Sequence, residues 1–459
     1  MTSALLTDLY ELTMLQAARD AGTAGRRCVF EVFTRSLPKG RRYGVVAGTD
    51  RVLRAIEDFT FDDADLRYLN GIGMLDEATL DFLSTYRFTG DVHGYAEGEL
   101  FFPTSPILRV EGTFEDAVML ETVILSILNH DSGVASAGSR MVTAARGRPC
   151  IEMGGRRVHE HAAIAAARAA YVVGFASTSN LAAGAHYRVP VAGTAAHAFT
   201  LLFDTEPEAF RAQLASQGAG TTVLVDTYDV DQAVRSAVEL AGPQLGAVRL
   251  DSGDLGAQAH RVRELLDSLG ATTTRITATG DLDEYRVEDL AAAPLDGYGI
   301  GTRLVTGGGH PAPGFVYKLV EREGADGAMH PVGKQSAGKT TLGAGKRAFR
   351  LLVRDQARAE IVLPGDAELS EFEQELVAEL TSADVSPEWT HARLRPLQVP
   401  LMNGGARFSP MRAPQAAEEA RARHRESLDE LGIAADEGPD GPVAIPTVTD
   451  GAEAARLLG

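Results

Sequence analysis

Between Cys150 and Thr302 the chain alternates short apolar runs with amphipathic helical stretches, and this repeat restricts the possible folds more than any other feature. CIEM precedes AAIAAARAAYVVG, VPVAG precedes EPEAFRAQLAS, TTVLVD precedes DQAVRSAVELAG, AVRLD precedes AQAHRVRELLDSLG, TRITATG precedes EYRVEDLAAA, and DGYGIGT closes the series. Parallel strands need a crossover, usually a helix, so the pattern predicts a parallel sheet, wound open or closed as a barrel. Both architectures place ligands at the carboxyl ends of the strands, so the polar residues after each apolar run are the functional candidates.

The flanking sequence is organised differently. Up to about residue 90 it reads as helical scaffold, with apolar residues at three- and four-residue spacing over Thr49 to Phe59 and Asp76 to Tyr86. Asp91 to Phe114 reads as small antiparallel strands, and a long helix follows over Glu115 to Ala145. Beyond Gly314 the runs GFVYKLVE, MHPVGK, KTTLG and AFRLLVRD predict strands that pair with those of 91–114. Pro414 to Leu431 reads as a charged helix, and the Gly-, Pro- and acid-rich tail from Glu437 as a loosely held terminus. The expected division is an N-terminal α+β domain over 1–130 completed by 315–405, an α/β catalytic domain over 131–314, and a C-terminal helix and tail over 406–459.

Composition narrows the partners. With 63 Asp+Glu against 44 Lys+Arg, the formal charge of −19 repels polyphosphate backbones and anionic lipid, which argues against nucleic acid or a membrane surface as the main partner. The opening MTSALLTDLYELTML lacks a basic n-region, and no apolar run is long enough to span a bilayer. Two cysteines, Cys28 and Cys150, are too few for a disulfide framework and lack zinc-site spacing, so a reducing cytoplasm is expected.

Gly333 to Thr340 satisfies the P-loop pattern, but a P-loop needs a buried strand before it and a helix after it; neither is expected here, and a lysine-bearing hairpin is the better reading. Arg249-Leu-Asp251-Ser252-Gly253-Asp254 ends a strand and opens a helix, where carboxylates suit ribose hydroxyls or Mg²⁺ and small residues admit a ligand to the backbone; a plain helix cap is the competing reading. Thr279-Gly280-Asp281 and Gly299-Ile300-Gly301-Thr302-Arg303 repeat the theme on the next two strands. Together the three describe a site for a phosphorylated sugar, with anion donors at one end and diol or metal acceptors at the other. Glu152-Met-Gly-Gly-Arg156-Arg157 offers an arginine able to clasp a planar carboxylate, or else a surface salt bridge. His197, after Gly193-Thr194-Ala195-Ala196, has a structural and a catalytic reading, and His159, Glu160 and His161 read as solvated helix-start residues.

The opening LLTDLYELTML, FEVFTRSLP, the arginine pair after EMGG, Thr178-Ser179-Asn180, GTAAH, VDTYD, RLDSGDL and YGIGTRLVT followed by YKLVE resemble, in order, nicotinate phosphoribosyltransferase. The resemblance implies an irregular α/β barrel flanked by an α+β domain, as in type II phosphoribosyltransferases. It implies the condensation of nicotinate with phosphoribosyl pyrophosphate to nicotinate mononucleotide and pyrophosphate, in NAD synthesis, coupled to ATP hydrolysis and dependent on Mg²⁺. A homodimer with shared sites is expected, Tyr10 stacking on the pyridine ring from the neighbouring subunit. Residue by residue, Arg156 or Arg157 would hold the nicotinate carboxylate, with Thr178 a further substrate contact. Arg249 and Asp251 would hold phosphoribosyl pyrophosphate and its Mg²⁺, Gly280 and Asp281 the ribose, and Gly301 and Thr302 the 5-phosphate. His197 would be phosphorylated from ATP, and Asp226 would position it or the metal. Two positions depart from the family's pattern: Gly155, often bulky and apolar, and Ala198, often Ser. The alternatives are a nicotinamide-specific sister enzyme, against which the arginine pair argues, a quinolinate enzyme, which would need a second carboxylate clamp, a P-loop NTPase, and a catalytically silent nucleotide-binding relative.

Overall fold

The computed structural model describes residues 2–334, 343–365, 392–432 and 440–449, so most of the KTTLG run and of the P-loop match lies outside the described residues. The chain divides into two compact units, one of Met1–Gly133, Ala312–Ile433 and Gly441–Gly459, the other of Val134–Pro311 and Ala434–Asp440.

The first unit carries a seven-stranded antiparallel sheet in the order Met329–Pro331, Val316–Glu323, Arg27–Phe33, Leu108–Thr113, Asp91–Tyr95, Gln398–Asn403, Ala406–Arg407. The helical reading of the first 90 residues therefore fails at Arg27–Phe33, a strand near the middle of the sheet. RCVFEVF is buried on both faces from Cys28 onward, which removes the polar alternation that marks a strand in sequence. Val316–Glu323 pairs with this strand rather than directly with those of 91–114. Phe30 stacks on Tyr317 with ring centroids 4.8 Å apart, and Leu12 and Leu15 from helix Leu9–Asp20 join the same core.

A four-stranded sheet, Ala392–Pro396, Lys346–Val353, Gln356–Pro364 and Thr447–Val448, completes this unit. Beside it lies a buried ionic cluster centred on Arg350, which is 0% exposed. Arg350 donates to Leu100 O at 3.0 Å and to Glu360 Oε2 at 3.2 Å, and Tyr95 donates to Glu360 Oε1 at 2.7 Å. Helix Ala413–Leu431, set apart in the sequence-based division, belongs to this unit and feeds the cluster: Ser427 donates to Glu99 Oε1 at 2.8 Å, and Arg423 lies 3.4 Å from Glu99 Oε2. Burial pushes the Glu99 carboxyl up, but Arg350, Arg395 and Arg423 outweigh it and hold the group below the usual range.

The second unit contains six parallel strands: β1 Cys150–Glu152, β2 Ser177–Thr178, β3 Thr222–Leu224, β4 Ala247–Leu250, β5 Arg275–Ala278 and β6 Gly297–Ile300. Their order is β2-β1-β6-β5-β4-β3, so the last strand pairs with the first and the sequence runs cyclically around the sheet. An open doubly wound sheet would reverse direction at a switch point; this order is that of an irregular α/β barrel. VPVAG, expected as a strand, supplies a single parallel bridge, Val191 to Thr178, while β2 was not foreseen because Ser177–Thr178 is two residues long. Among the described residues no pairing joins this edge to β3, and the segment carrying Thr194 and His197 connects the two edges. Asn180, Asp229, Asp254 and Asp283 each accept a first-turn amide at the N-terminus of the helix they precede.

Replacing Arg350 by Met leaves Glu99 and Glu360 without their shared cation. The expected loss is about 3–5 kcal/mol of unfolding free energy, measured by denaturant titration; a loss below about 1 kcal/mol would show that the cluster does not depend on this residue.

Candidate active site

The carboxyl ends of β1 to β6 assemble the site. Val225 and Asp226 follow the end of β3, and Asp251 follows the end of β4. Asp226 is buried; its Oδ2 accepts from the Asp251 amide at 2.9 Å and the Ser252 hydroxyl at 2.7 Å, which ties the β3 and β4 ends together. Its Oδ1 is buried with no hydrogen-bond donor among the described residues. His197 stands over this pair: Nε2 is 3.9 Å from Asp226 Oδ1 and 3.9 Å from Asp251 Oδ2, and Nδ1 is 3.2 Å from Thr227 Oγ1. The imidazole is thus held between two carboxylates and a hydroxyl, with 41% of its side chain exposed.

Arg249 points from the end of β4 to the Thr194 hydroxyl, which it reaches at 3.1 Å, and its Nε is buried without an acceptor among the described residues. Burial lowers its pKa and Arg156 lowers it further, while Asp251 and Asp226 oppose the shift. Arg156 and Arg157 are both exposed, and the Arg157 amide closes a turn on Gly154 O at 2.8 Å. An added Cβ at Gly155 would meet only Asn180 Nδ2 at 3.7 Å and Ala163 at 3.9 Å, so the glycine leaves room beside the arginines rather than avoiding a clash.

Of the two carboxylates in RLDSGD, Asp254 is the helix cap, accepting from Ala257 N at 3.1 Å. Asp251 faces the site and accepts from the Thr279 hydroxyl of β5. Gly280 follows at φ 105°, where a Cβ would lie 2.6 Å from Asp251 O, so only glycine lets the β5 end approach β4 this closely. Asp281 is exposed. At β6, Gly301 and Thr302 begin the turn Thr302–Val305.

Thr178, a substrate contact by the family resemblance, is fully enclosed. Its hydroxyl donates to Glu152 Oε2 at 2.5 Å and accepts from Asn180 N at 2.9 Å, so it braces the β1–β2 loops. Tyr10 belongs to the first unit, on helix Leu9–Asp20; its ring is 45% exposed, and burial of its hydroxyl with Glu121 and Glu11 nearby pushes the pKa up to about 12. Among the described residues no group of three or more His, Cys, Asp or Glu is arranged to hold a metal ion by itself.

Residues 5–129 match the nicotinate phosphoribosyltransferase (NAPRTase) N-terminal domain. Over 354 residues, 75% of this chain and 78% of the relative, the sequence is 56% identical to nicotinate phosphoribosyltransferase pncB1 of Mycobacterium tuberculosis. The chain belongs to the nicotinate phosphoribosyltransferase family. As such it is an enzyme. It is also 40% identical over 470 residues to nicotinate phosphoribosyltransferase pncB2 of the same species, spanning 99% of this chain and 94% of that one. The fold matches the crystal structure of human nicotinic acid phosphoribosyltransferase with a TM-score of 0.77 at 25% identity, over 98% of this chain and 99% of that one. No helix among the described residues is long and apolar enough to cross a membrane.

One residue of this family member escaped the sequence reading. Glu206 opens helix Glu206–Gln217 after the Thr205 cap, where an acid is ordinarily explained by the helix dipole. It is nevertheless buried, with Oε1 unpartnered among the described residues, and burial together with Asp229 and Asp226 raises its pKa to about 7. A carboxyl raised on folding stabilises the fold below its unfolded value of 4.5 and loses that contribution as pH rises through about 7.

Two outcomes follow for measurement. In Glu206→Gln the side chain is neutral throughout, so the unfolding temperature of the variant should gain on that of the parent between pH 4.5 and pH 8; a constant difference would contradict the assignment. Gly280→Ala should lower kcat/KM by about 100-fold or more while the protein remains folded by circular dichroism; near-parental turnover would mean that the β4–β5 approach is not needed.

Proposed function

We propose that the strand-end site of the second unit joins nicotinate to phosphoribosyl pyrophosphate, giving nicotinate mononucleotide and pyrophosphate, in NAD biosynthesis. The observation that carries the reading is the imidazole of His197 placed 3.9 Å from each of two carboxylates, Asp226 and Asp251, beside the Arg249 guanidinium, in a chain of this family. The pyridine nitrogen is already a nucleophile; it bonds to the anomeric carbon as the carbon–oxygen bond to pyrophosphate breaks, and no general base is required. The ribose passes through an oxocarbenium-like state, so the site must meet positive charge on the sugar and negative charge on the leaving group. Asp251 serves the first and Arg249, whose buried Nε lacks an acceptor among the described residues, the second.

Arg156 or Arg157, both exposed on the turn that follows β1, takes the nicotinate carboxylate. Gly280 and Asp281 take the ribose diol, and Gly301 and Thr302 the 5-phosphate, at amides that begin a turn. The donor set suits Mg²⁺, which is typically held by one or two carboxylates plus substrate phosphates: Asp226 offers a buried oxygen without a donor, and Asp251 lies beside it. Bound there, Mg²⁺ would neutralise charge on the pyrophosphate.

His197 is the residue phosphorylated from ATP. The carboxylates favour the proton on Nε2, which leaves the Nδ1 lone pair, next to the Thr227 hydroxyl, to bond to the γ-phosphorus as the bond to ADP breaks. The phosphoryl group brings about two negative charges to the site, which changes its affinity for substrate and product and so couples ATP to the transfer. The protein works in the cytoplasm, where the buried thiols of Cys28 and Cys150 stay reduced, as a homodimer in which Tyr10 of one copy stacks on the pyridine of the other. Exposed Leu9, Tyr10 and Met14 give helix Leu9–Asp20 an apolar surface suited to that contact.

The test offers nicotinate, nicotinamide or quinolinate with phosphoribosyl pyrophosphate and Mg²⁺, with and without ATP, and identifies products by mass. Nicotinate mononucleotide from nicotinate alone, stimulated by ATP, is expected, and no product from any base would overturn the reading. In His197→Ala the basal transfer should persist without ATP stimulation; full stimulation in that variant would remove His197 from the coupling.

A further inference from the structure

The loop Thr279-Gly280-Asp281 is held at both ends. Upstream, the Thr279 hydroxyl donates to Asp251. Downstream, Asp283 caps helix Glu284–Asp289 by accepting from Arg286 N at 2.9 Å, and the first two residues of that helix enter a second cluster. Glu284, 2% exposed, accepts a 2.9 Å ion pair from Arg140 Nη1, itself 7% exposed. Arg140 Nη2 reaches the Tyr285 hydroxyl at 3.2 Å and Asp440 Oδ1 at 3.1 Å, and Tyr285 donates to the same oxygen of Asp440 at 2.8 Å. The guanidinium also lies 5.6 Å from the centre of the Tyr285 ring.

Asp440 falls in the segment read from sequence as a loose acidic terminus, yet it is counted with the second unit, although the chain before 434 and after 440 belongs to the first. Arg140 therefore serves three partners at once: a buried carboxylate at the start of the helix, the hydroxyl of the next residue, and a carboxylate from the far end of the sequence. Between these partners and Thr279 only four residues, Gly280 to Asp283, are left to set where Asp281 stands.

We propose that Arg140, Tyr285 and Asp440 form a positioning clamp for the Gly280–Asp281 loop, through which the C-terminal segment tunes affinity for the phosphoribosyl substrate; this rests on the reading of that loop as the ribose contact. None of the three residues touches the reacting atoms. They fix the helix start, the helix start fixes the loop, and the loop presents the Asp281 carboxylate to the ribose. Removing one arm of the clamp widens the positions open to Asp281 and leaves the arginines at β1 and β4 where they are. The effect therefore falls on phosphoribosyl pyrophosphate and spares nicotinate.

The experiment uses the full chain with Asp440→Asn, Tyr285→Phe and the conservative Asp440→Glu, the exposed carboxylate and the half-exposed hydroxyl being changes that leave the fold intact. Calorimetric titration with phosphoribosyl pyrophosphate and Mg²⁺ gives its Kd, and steady-state assays give KM for both substrates. Kd and KM for phosphoribosyl pyrophosphate should rise about three- to tenfold in the Asn and Phe variants, with the nicotinate KM and kcat unchanged within about twofold and partial recovery in the Glu variant. Unchanged Kd in both folded variants, or a parallel rise in both KM values, would overturn the clamp. A parent protein that binds phosphoribosyl pyrophosphate, loses affinity in the variants and makes no nicotinate mononucleotide would overturn the proposed reaction and support the clamp. A parent that does not bind phosphoribosyl pyrophosphate would overturn both.

Discussion

The buried carboxylate of Asp226 is the joint on which the site is built. By accepting from the Asp251 amide and the Ser252 hydroxyl it fixes where β4 ends, and Asp251, so placed, accepts from Thr279 and fixes where β5 ends. A carboxylate can do this in a buried position only because its charge is used twice: one oxygen is saturated by the loop, and the other faces the His197 imidazole. Any cation at that second oxygen, imidazolium or metal, is thereby linked to the shape of three strand ends.

This chain of contacts explains why the barrel is irregular where it is. Around β6, β5, β4 and β3 every neighbour is hydrogen-bonded in parallel, whereas β2 is two residues long and its outer side carries only the Val191 bridge. The backbone from Gly193 onward therefore leaves the sheet, and the freed segment brings Thr194 to Arg249 and His197 to the two carboxylates. A fully paired strand would have kept alternate side chains on the outer face of the barrel. The departure from regular pairing is what delivers the imidazole.

The strand–helix rhythm of the second unit was legible because its strands are short apolar runs ending in Asp or Gly, and the cyclic order follows from the crossover rule together with closure. The seven-stranded sheet of the first unit was less so: RCVFEVF carries no alternation, and the buried Glu31 within it is neutralised by Lys346, more than three hundred residues away. The burial of Glu206 and the enclosure of Thr178 were not legible for one shared reason. Neither a threonine at a strand end nor an acid at a helix start carries a local mark of its burial, which depends on neighbours distant in sequence.

Net charge posed an apparent conflict, since a chain of −19 would repel a substrate carrying a pyrophosphate and a phosphate. The conflict dissolves on the length scale of screening. At physiological ionic strength charges beyond about 8 Å are largely screened at the surface, so the distributed acids set solubility and the site is governed by what lies within it. There burial holds the Arg249 guanidinium below its usual pKa, while the Asp251 and Asp226 carboxylates oppose the shift. A guanidinium whose charge burial disfavours is stabilised by an anion that meets it, as it is by the Asp251 and Asp226 carboxylates.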